Sequence, residues 1–220
     1  MAEPRGRIVV IESPNPLDVL QGRSEAQTLA AACKLIGYET ATYMVRSLRE
    51  LRETIQYVAT IAQDHDDSSA TTIPLVVHVS CHGDDDGLQF GQNELSWKQL
   101  AGVVKPLCTM GFYDPGFVLS ISACGAGKQK LTSTLTEDIK LDDGIRPPRY
   151  VFVTADDEVS WDDATVSWVS LYHQLGGHNI DHRLKIRDAL PAITTLTGVT
   201  LKYFRWVKTD SCYKFFSSDV

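Results

Sequence analysis

The sequence predicts an α/β fold with a mostly parallel six-stranded sheet and helices on both faces. Three observations lead there. Short continuous apolar runs recur at Arg7 to Glu12, Leu75 to Val79, Phe117 to Cys124 and Tyr150 to Thr154, as expected of strands buried on both faces. Between them lie segments whose apolar residues follow helical spacing, and strands alternating with helices imply crossover connections and parallel pairing. The 220 residues, 43% hydrophobic and 22% charged, bury roughly 70% of their unfolded surface without disulfide or metal staples, so a single domain over 1–220 is expected.

Taken in order, the run Arg7 to Glu12 is a first strand, followed by Ser13-Pro14-Asn15-Pro16, read as a non-helical loop. Ser24 is a helix N-cap candidate, and Ala26, Leu29, Ala30 and Cys33 give the periodicity that ends at Ile36-Gly37. Thr40 to Val45 has strand composition, and Leu48, Leu51, Ile55, Val58 and Ile61 mark a second helix before the polar segment Asp64 to Thr72. Pro74 precedes the third strand, which ends in Ser80-Cys81-His82-Gly83-Asp84. Gly87 to Leu95 reads as a short hairpin, and Ser96 caps a helix through Leu100, Val103 and Val104. The fourth strand ends in Ala123-Cys124, followed by Gly125-Ala126-Gly127.

Residues 128–149 are polar with weak periodicity and read as a long connection, a candidate regulatory or processing loop. Tyr150 to Thr154 is the fifth strand and Asp156 to Asp163 a loop at its end. Ala164 to Leu175 and Leu184 to Leu196 are helical, and Val199 to Val207 alternates as an edge strand. Such an exposed edge permits a homodimer.

Charge and composition exclude several function classes. With 21 Lys+Arg against 28 Asp+Glu the formal charge is -7, and no extended basic run is present, which argues against nucleic acid as the main partner and favours cationic peptides. The five cysteines lack CxxC spacing and suit free thiols in a reducing compartment. No stretch approaches the ~20 apolar residues of a membrane span, so a cytoplasmic protein without a membrane partner is expected. Gly125-Ala126-Gly127-Lys128 lacks the upstream Gly and the following Ser/Thr of a phosphate loop, Gln129 standing there. No His/Cys/carboxylate cluster has metal-ligand spacing, and Asp84-Asp85-Asp86 reads as a solvated loop, so neither metal nor cofactor is expected.

In parallel sheets, ligands sit outside the C-terminal strand ends, which is where His82, Cys124 and the Asp156 to Asp163 loop fall. A thiol becomes a nucleophile when a nearby imidazole accepts its proton. Glycines beside both groups let main-chain N–H groups approach a peptide carbonyl, which nominates those of Gly83 and Cys124 as an oxyanion site. Cys81 is the competing thiol, but strand alternation turns it away from His82, and His78 reads as a satisfied core residue. His65, His173, His178 and His182 have no ligand spacing.

These segments resemble the caspase-like cysteine proteases, a superfamily that includes metacaspases, paracaspases and CHAT-type proteases. The similar stretches are Val77 to Gly83, an apolar strand ending in His-Gly; Leu119 to Gly127, a strand ending in Ala-Cys-Gly; Gly87 to Trp97; and Val151 to Asp163. Together the likeness spans Arg7 to Val207. The 42 residues from His82 to Cys124 are close to the ~50 of caspases. The resemblance implies a three-layer caspase-like sandwich and a Cys-His dyad cysteine endopeptidase, with roles in cell death or defence.

Caspases that cut after Asp carry an Arg following the Ser-Trp pair; here Asp162 stands there. A carboxylate pairs with a guanidinium through charge-assisted hydrogen bonds and repels an acidic side chain, so cleavage after Arg or Lys is expected. Asp156, Asp157, Glu158 and Asp163 are substitutes on the same loop, and Trp161 a candidate wall of the substrate site. The alternative is a catalytically silent caspase-like binding or scaffold module; a receiver-type signalling domain would need acidic or phosphate-binding residues where Ser13-Pro14-Asn15-Pro16 stands. No third triad member is evident, although a main-chain carbonyl near Pro14-Asn15 could orient His82. Lys128, Lys130, Lys140, Arg146 and Arg149 make self-processing within 128–149 conceivable, and a separate activator or sensor protein is a candidate partner.

Overall fold

The computed structural model describes residues 4–63, 73–109, 117–128, 130–141, 144–176 and 183–216. The Asp64 to Thr72 segment, His65, His178 and His182 lie outside them. Strands β1 (Arg7–Ser13), β2 (Glu39–Met44), β3 (Leu75–Gly83), β6 (Phe117–Ser122), β7 (Tyr150–Thr154), β8 (Leu201–Val207) and β9 (Cys212–Phe216) form the main sheet, in the order β2-β1-β3-β6-β7-β8-β9. The pairs β2-β1, β1-β3, β3-β6 and β6-β7 are parallel, while β7-β8 and β8-β9 are antiparallel. A hairpin of β4 (Gly87–Phe90) and β5 (Asn93–Ser96) attaches to the end of β3.

Because alternate strand residues point to opposite faces, the apolar runs feed two separate cores. Val9, Ile11, Val77, Val79, Leu119 and Ile121 face α3 (Leu48–Ala59), α4 (Trp97–Cys108) and α5 (Lys130–Leu141). Ile8, Val10, Val76, Val118, Tyr150 and Phe152 face α2 (Glu25–Leu35), α6 (Trp161–Gly176) and α7 (Arg183–Thr197). The expected three-layer α/β arrangement is therefore present. Ser24 and Ser96 cap α2 and α4 as their sequence context predicts, each accepting from the backbone N–H three residues on.

Four local readings change. A five-residue helix α1 (Pro16–Leu20) starts inside the segment read as loop, because Asn15 caps it and Pro16 supplies a first helical residue that needs no N–H partner. The 128–149 connection contains α5, whose Leu131 and Leu135, four residues apart, enter the core. Helix α6 begins at Trp161 rather than Ala164, which places Asp162 and Asp163 in its first turn. Finally, β8 is not an edge: β9 pairs along it from Cys212 to Phe216, giving the main sheet a seventh strand. The edge of the sheet on that side is therefore β9 rather than β8.

Candidate active site

The register of the two central strands sets the site. Ser80 of β3 pairs with Ser122 of β6, so His82 and Cys124 each lie two residues beyond a matched pair. Two residues of extended chain return a side chain to the same face. That face is the one covered by α2 and α6, since His78, Ser80 and Ser122 all reach Glu25 at the start of α2. His82 and Cys124 accordingly line one recess of about 50 Å³ together with Glu25, Ser122, Ser160 and Trp161. Both are partly exposed, as a reactive pair must be.

Below the recess Glu25 gathers the polar groups of the two strand ends. Glu25, 1% exposed, accepts from Ser80 Oγ at 2.6 Å and Ser122 Oγ at 2.8 Å, and its other oxygen lies 3.1 Å from His78 Nε2. His78 Nδ1 meets the Tyr172 hydroxyl at 2.8 Å, so this histidine is a satisfied core residue, as expected. Glu12 accepts from Ser24 Oγ and from the Glu25 and Ala26 N–H groups; burial outweighs these bonds and pushes its carboxyl up. Cys81 points into the opposite core, and burial pushes its thiol well above the ordinary range. Burial likewise raises Cys33 and Cys108, each to about 12.

The loops after the two strands are tied to each other. Gly125 has φ +69°, and a Cβ there would sit 2.6 Å from the Asp84 carbonyl carbon, so a glycine is needed for the Cys124 loop to pass the His82 loop. A Cβ on Gly83 would lie 3.0 Å from the Ala123 Cβ. Lys128 then pairs with Asp85, clasping the two loops again. The amides on either side of Cys124 are occupied: Ala123 N–H donates to Thr154 Oγ1 at 3.1 Å and Gly125 N–H to the Asp156 carbonyl at 3.1 Å. Asp84 Oδ1 accepts from the Asp86 and Gly87 N–H groups, an ordinary turn.

On its other side His82 opens onto a cleft of about 830 Å³ between α1 and the start of α6. The charged residues lining it are Asp18, Arg23 and Asp162, and Trp161 forms a wall with its ring edge-on to His82 at 5.7 Å. Asp162 is exposed, and its carboxyl is held below the usual range by the Ser160 hydroxyl, by first-turn N–H groups and by Arg23. The substitutes fit less well. Asp156 Oδ2 accepts the Thr200 N–H at 2.6 Å, and Asp163 Oδ2 accepts from Ser160 Oγ at 2.8 Å as part of the α6 start. Asp157 and Glu158 are exposed and do not line the cleft, so Asp162 alone of the five loop carboxylates does.

One residue that sequence reasoning missed touches His82 directly. Asp18, 3% exposed, places Oδ2 2.7 Å from His82 Nε2. Where the sequence suggested a main-chain carbonyl near Pro14-Asn15, the side chains of Asp18 and Asn15 meet Nε2. The pattern Asn15-x-x-Asp18, a capping pair around Pro16, was the available signal.

No protein-family model matches the sequence, and no curated protein matches it. The three-dimensional arrangement does have a counterpart. The crystal structure of caspase-1 from Spodoptera frugiperda superimposes with a TM-score of 0.52 over 86% of this chain and 77% of that chain, at 17% identity. The chain has the caspase fold. On this caspase-like scaffold, the imidazole and the thiol sit at the C-terminal ends of two adjacent central strands, where open parallel sheets hold their ligands. No helix among the described residues is long and apolar enough to cross a membrane.

Proposed function

We propose that this protein is a cysteine endopeptidase in which Cys124 is the nucleophile and His82 carries protons. The observation that supports it most is the shared recess of His82 and Cys124, set by the Ser80–Ser122 register. In this reading His82 takes the Cys124 proton and the thiolate attacks the scissile carbonyl carbon, forming a C–S bond. The imidazolium protonates the leaving amine as the C–N bond breaks. Water then attacks the thioester, giving its proton to the imidazole, and the acid leaves as the thiol reforms. The N–H groups of Gly83 and Cys124 are the proposed donors to the oxyanion.

The same reading assigns cleavage to peptide bonds following Arg or Lys. Asp162 supports it: an ionised carboxylate on the rim of the cleft that opens at His82, beside the Trp161 wall. Asp156 and Asp157, also considered from sequence, drop behind it because the first is bonded to Thr200 and the second lies outside the cleft. Arg23 in the same cleft favours a second reading, capture of an acidic side chain.

Reporter peptides carrying each residue before the scissile bond separate these. Cleavage after Arg or Lys, abolished in Cys124→Ala and weakened about tenfold in Asp162→Ala, supports the first reading. Cleavage after Asp or Glu that is lost in Arg23→Ala supports the second. Absence of cleavage of any peptide, with or without candidate activator proteins, would leave a caspase-like binding module.

A further inference from the structure

We propose that Asp18 is a positioning residue for His82, extending the pair into a Cys124-His82-Asp18 chain. This rests on the reading of His82 as the proton carrier, and it concerns which ring nitrogen carries out that work. Asp18 Oδ2 lies 2.7 Å from His82 Nε2, and Asn15 Nδ2 lies 3.1 Å from the same nitrogen. Both contacts cannot be hydrogen bonds at once. Asn15 Oδ1 already accepts from the Asp18 N–H at 2.9 Å, which fixes the amide with its NH₂ toward the ring. If Nε2 accepted from Asn15, its lone pair would also face a carboxylate oxygen at 2.7 Å. If instead Nε2 bears hydrogen, it donates to the carboxylate, and the short contact is a charge-assisted bond.

With Nε2 donating to Asp18, the neutral ring keeps its lone pair on Nδ1. That is the nitrogen left to accept the Cys124 proton. When it does, the resulting imidazolium faces a carboxylate that favours its charge.

The carboxylate is itself held in place. Asp18 is the third residue of α1 and reaches back to accept the Asn15 N–H at 3.1 Å, while Asn15 accepts from Asp18 in return. Arg23 Nη1 stands 3.9 Å from the other oxygen. A capping acid needs only its own helix end and is normally solvated. This one is 3% exposed and turns an oxygen onto a ring supplied by β3, 64 residues along the chain. Pro16 at the start of α1 fixes the backbone from which the acid projects.

The test uses the full chain and variants Asp18→Asn, Asp18→Glu and Asp18→Ala. Asn keeps the size but removes the charge; Oδ2 meets both the Asn15 N–H and His82 Nε2, so an amide that keeps the cap presents its carbonyl oxygen to the ring, whereas Ala removes the acceptor altogether. Far-UV and near-UV dichroism first establish which variants fold, and a folded Asp18→Asn suffices for the decision. Three readouts follow: the His82 tautomer by ¹⁵N–¹H NMR, the rate of Cys124 alkylation by iodoacetamide, and kcat and KM on the best reporter peptide.

The proposal expects Nε2–H in the wild-type neutral ring, loss of that preference in Asp18→Ala, and in Asp18→Asn, which lacks the charge, alkylation slowed about tenfold and kcat lowered about 100-fold with KM within about threefold. Partial recovery is expected in Asp18→Glu. A wild-type ring protonated at Nδ1, or alkylation unchanged in Asp18→Asn, would overturn it. A rise confined to KM for basic substrates would instead make Asp18 a substrate-binding acid. The first two readouts need no peptide, so they decide the role of Asp18 even if no peptide is cleaved and the peptidase reading itself falls.

Discussion

Glu25 Oε2 accepts a hydrogen bond from Ser122 Oγ at 2.8 Å, fastening a fully buried acid to the strand that ends two residues before Cys124. The same oxygen holds Ser80, two residues before His82. One side chain from α2 therefore ties together the two strand ends that carry the chemistry. Buried carboxylates are tolerated only when their lone pairs are filled, and here Ser80, Ser122 and His78 fill them.

Removing this acid should be costly. Glu25→Ala leaves three buried polar groups without their partner, at about 1–3 kcal/mol each, so we expect at least about 3 kcal/mol of lost stability in urea unfolding. Glu25→Gln keeps one acceptor and should lose less. A loss below about 1 kcal/mol in Glu25→Ala would contradict the central place given to this network.

Gly125 makes a second prediction. Its φ of +69° costs an L residue about 1–2 kcal/mol, and an added Cβ would strike the Asp84 backbone at 2.6 Å. Gly125→Ala should lower the melting temperature and, by pushing apart the loops after His82 and Cys124, slow peptide turnover at least about tenfold. An Ala variant with wild-type melting and turnover would show that the close passage of the two loops is dispensable.

Thiol reactivity should sort by environment. Cys33, Cys81 and Cys108 are buried with raised pKa values, whereas Cys124 and Cys212 are partly exposed. Native protein treated with iodoacetamide near neutral pH should label Cys124 and Cys212 and spare the other three until denaturant is added. Native labelling of Cys81 at a rate comparable to Cys124 would mean that the core beneath β3 is open.

Much of this was legible in the sequence, and what was not has identifiable physical causes. The strands ending in His82 and Cys124 announce themselves as apolar runs, and parallel pairing then brings their ends together without any further signal. Ser24 and Ser96 mark helix starts through ordinary capping chemistry. Asp18 escaped because two prolines around Asn15 were read as excluding a helix, although a proline is welcome at the first helical position. Glu25 escaped because burial of a charged residue depends on partners from distant segments. Helix α5 was obscured by Thr and Ser, which are weak helix formers, standing between its core residues Leu131 and Leu135.

Glu12 gives a pH-dependent prediction. Burial raises its carboxyl above the ordinary 4.5, so the folded state binds the proton more tightly than the unfolded chain. The stability it contributes is fully present below the ordinary value and is lost as pH rises through the raised one. Glu12→Gln removes that titration. The melting temperature of Glu12→Gln minus that of the wild type should therefore become more positive as pH rises from the ordinary carboxylate range. A flat difference, or one that falls with pH, would contradict the raised value.

The central claim is that Cys124 is a nucleophile served by His82 in a common recess. Its most direct test is covalent labelling by a peptidyl chloromethyl ketone with Arg next to the warhead, with the adduct located by mass spectrometry in the wild type, His82→Ala and Cys124→Ala. The account predicts a single adduct on Cys124, formed at least about tenfold more slowly in His82→Ala and absent from Cys124→Ala. Labelling of Cys212 in preference to Cys124, or equal rates with and without His82, would contradict it.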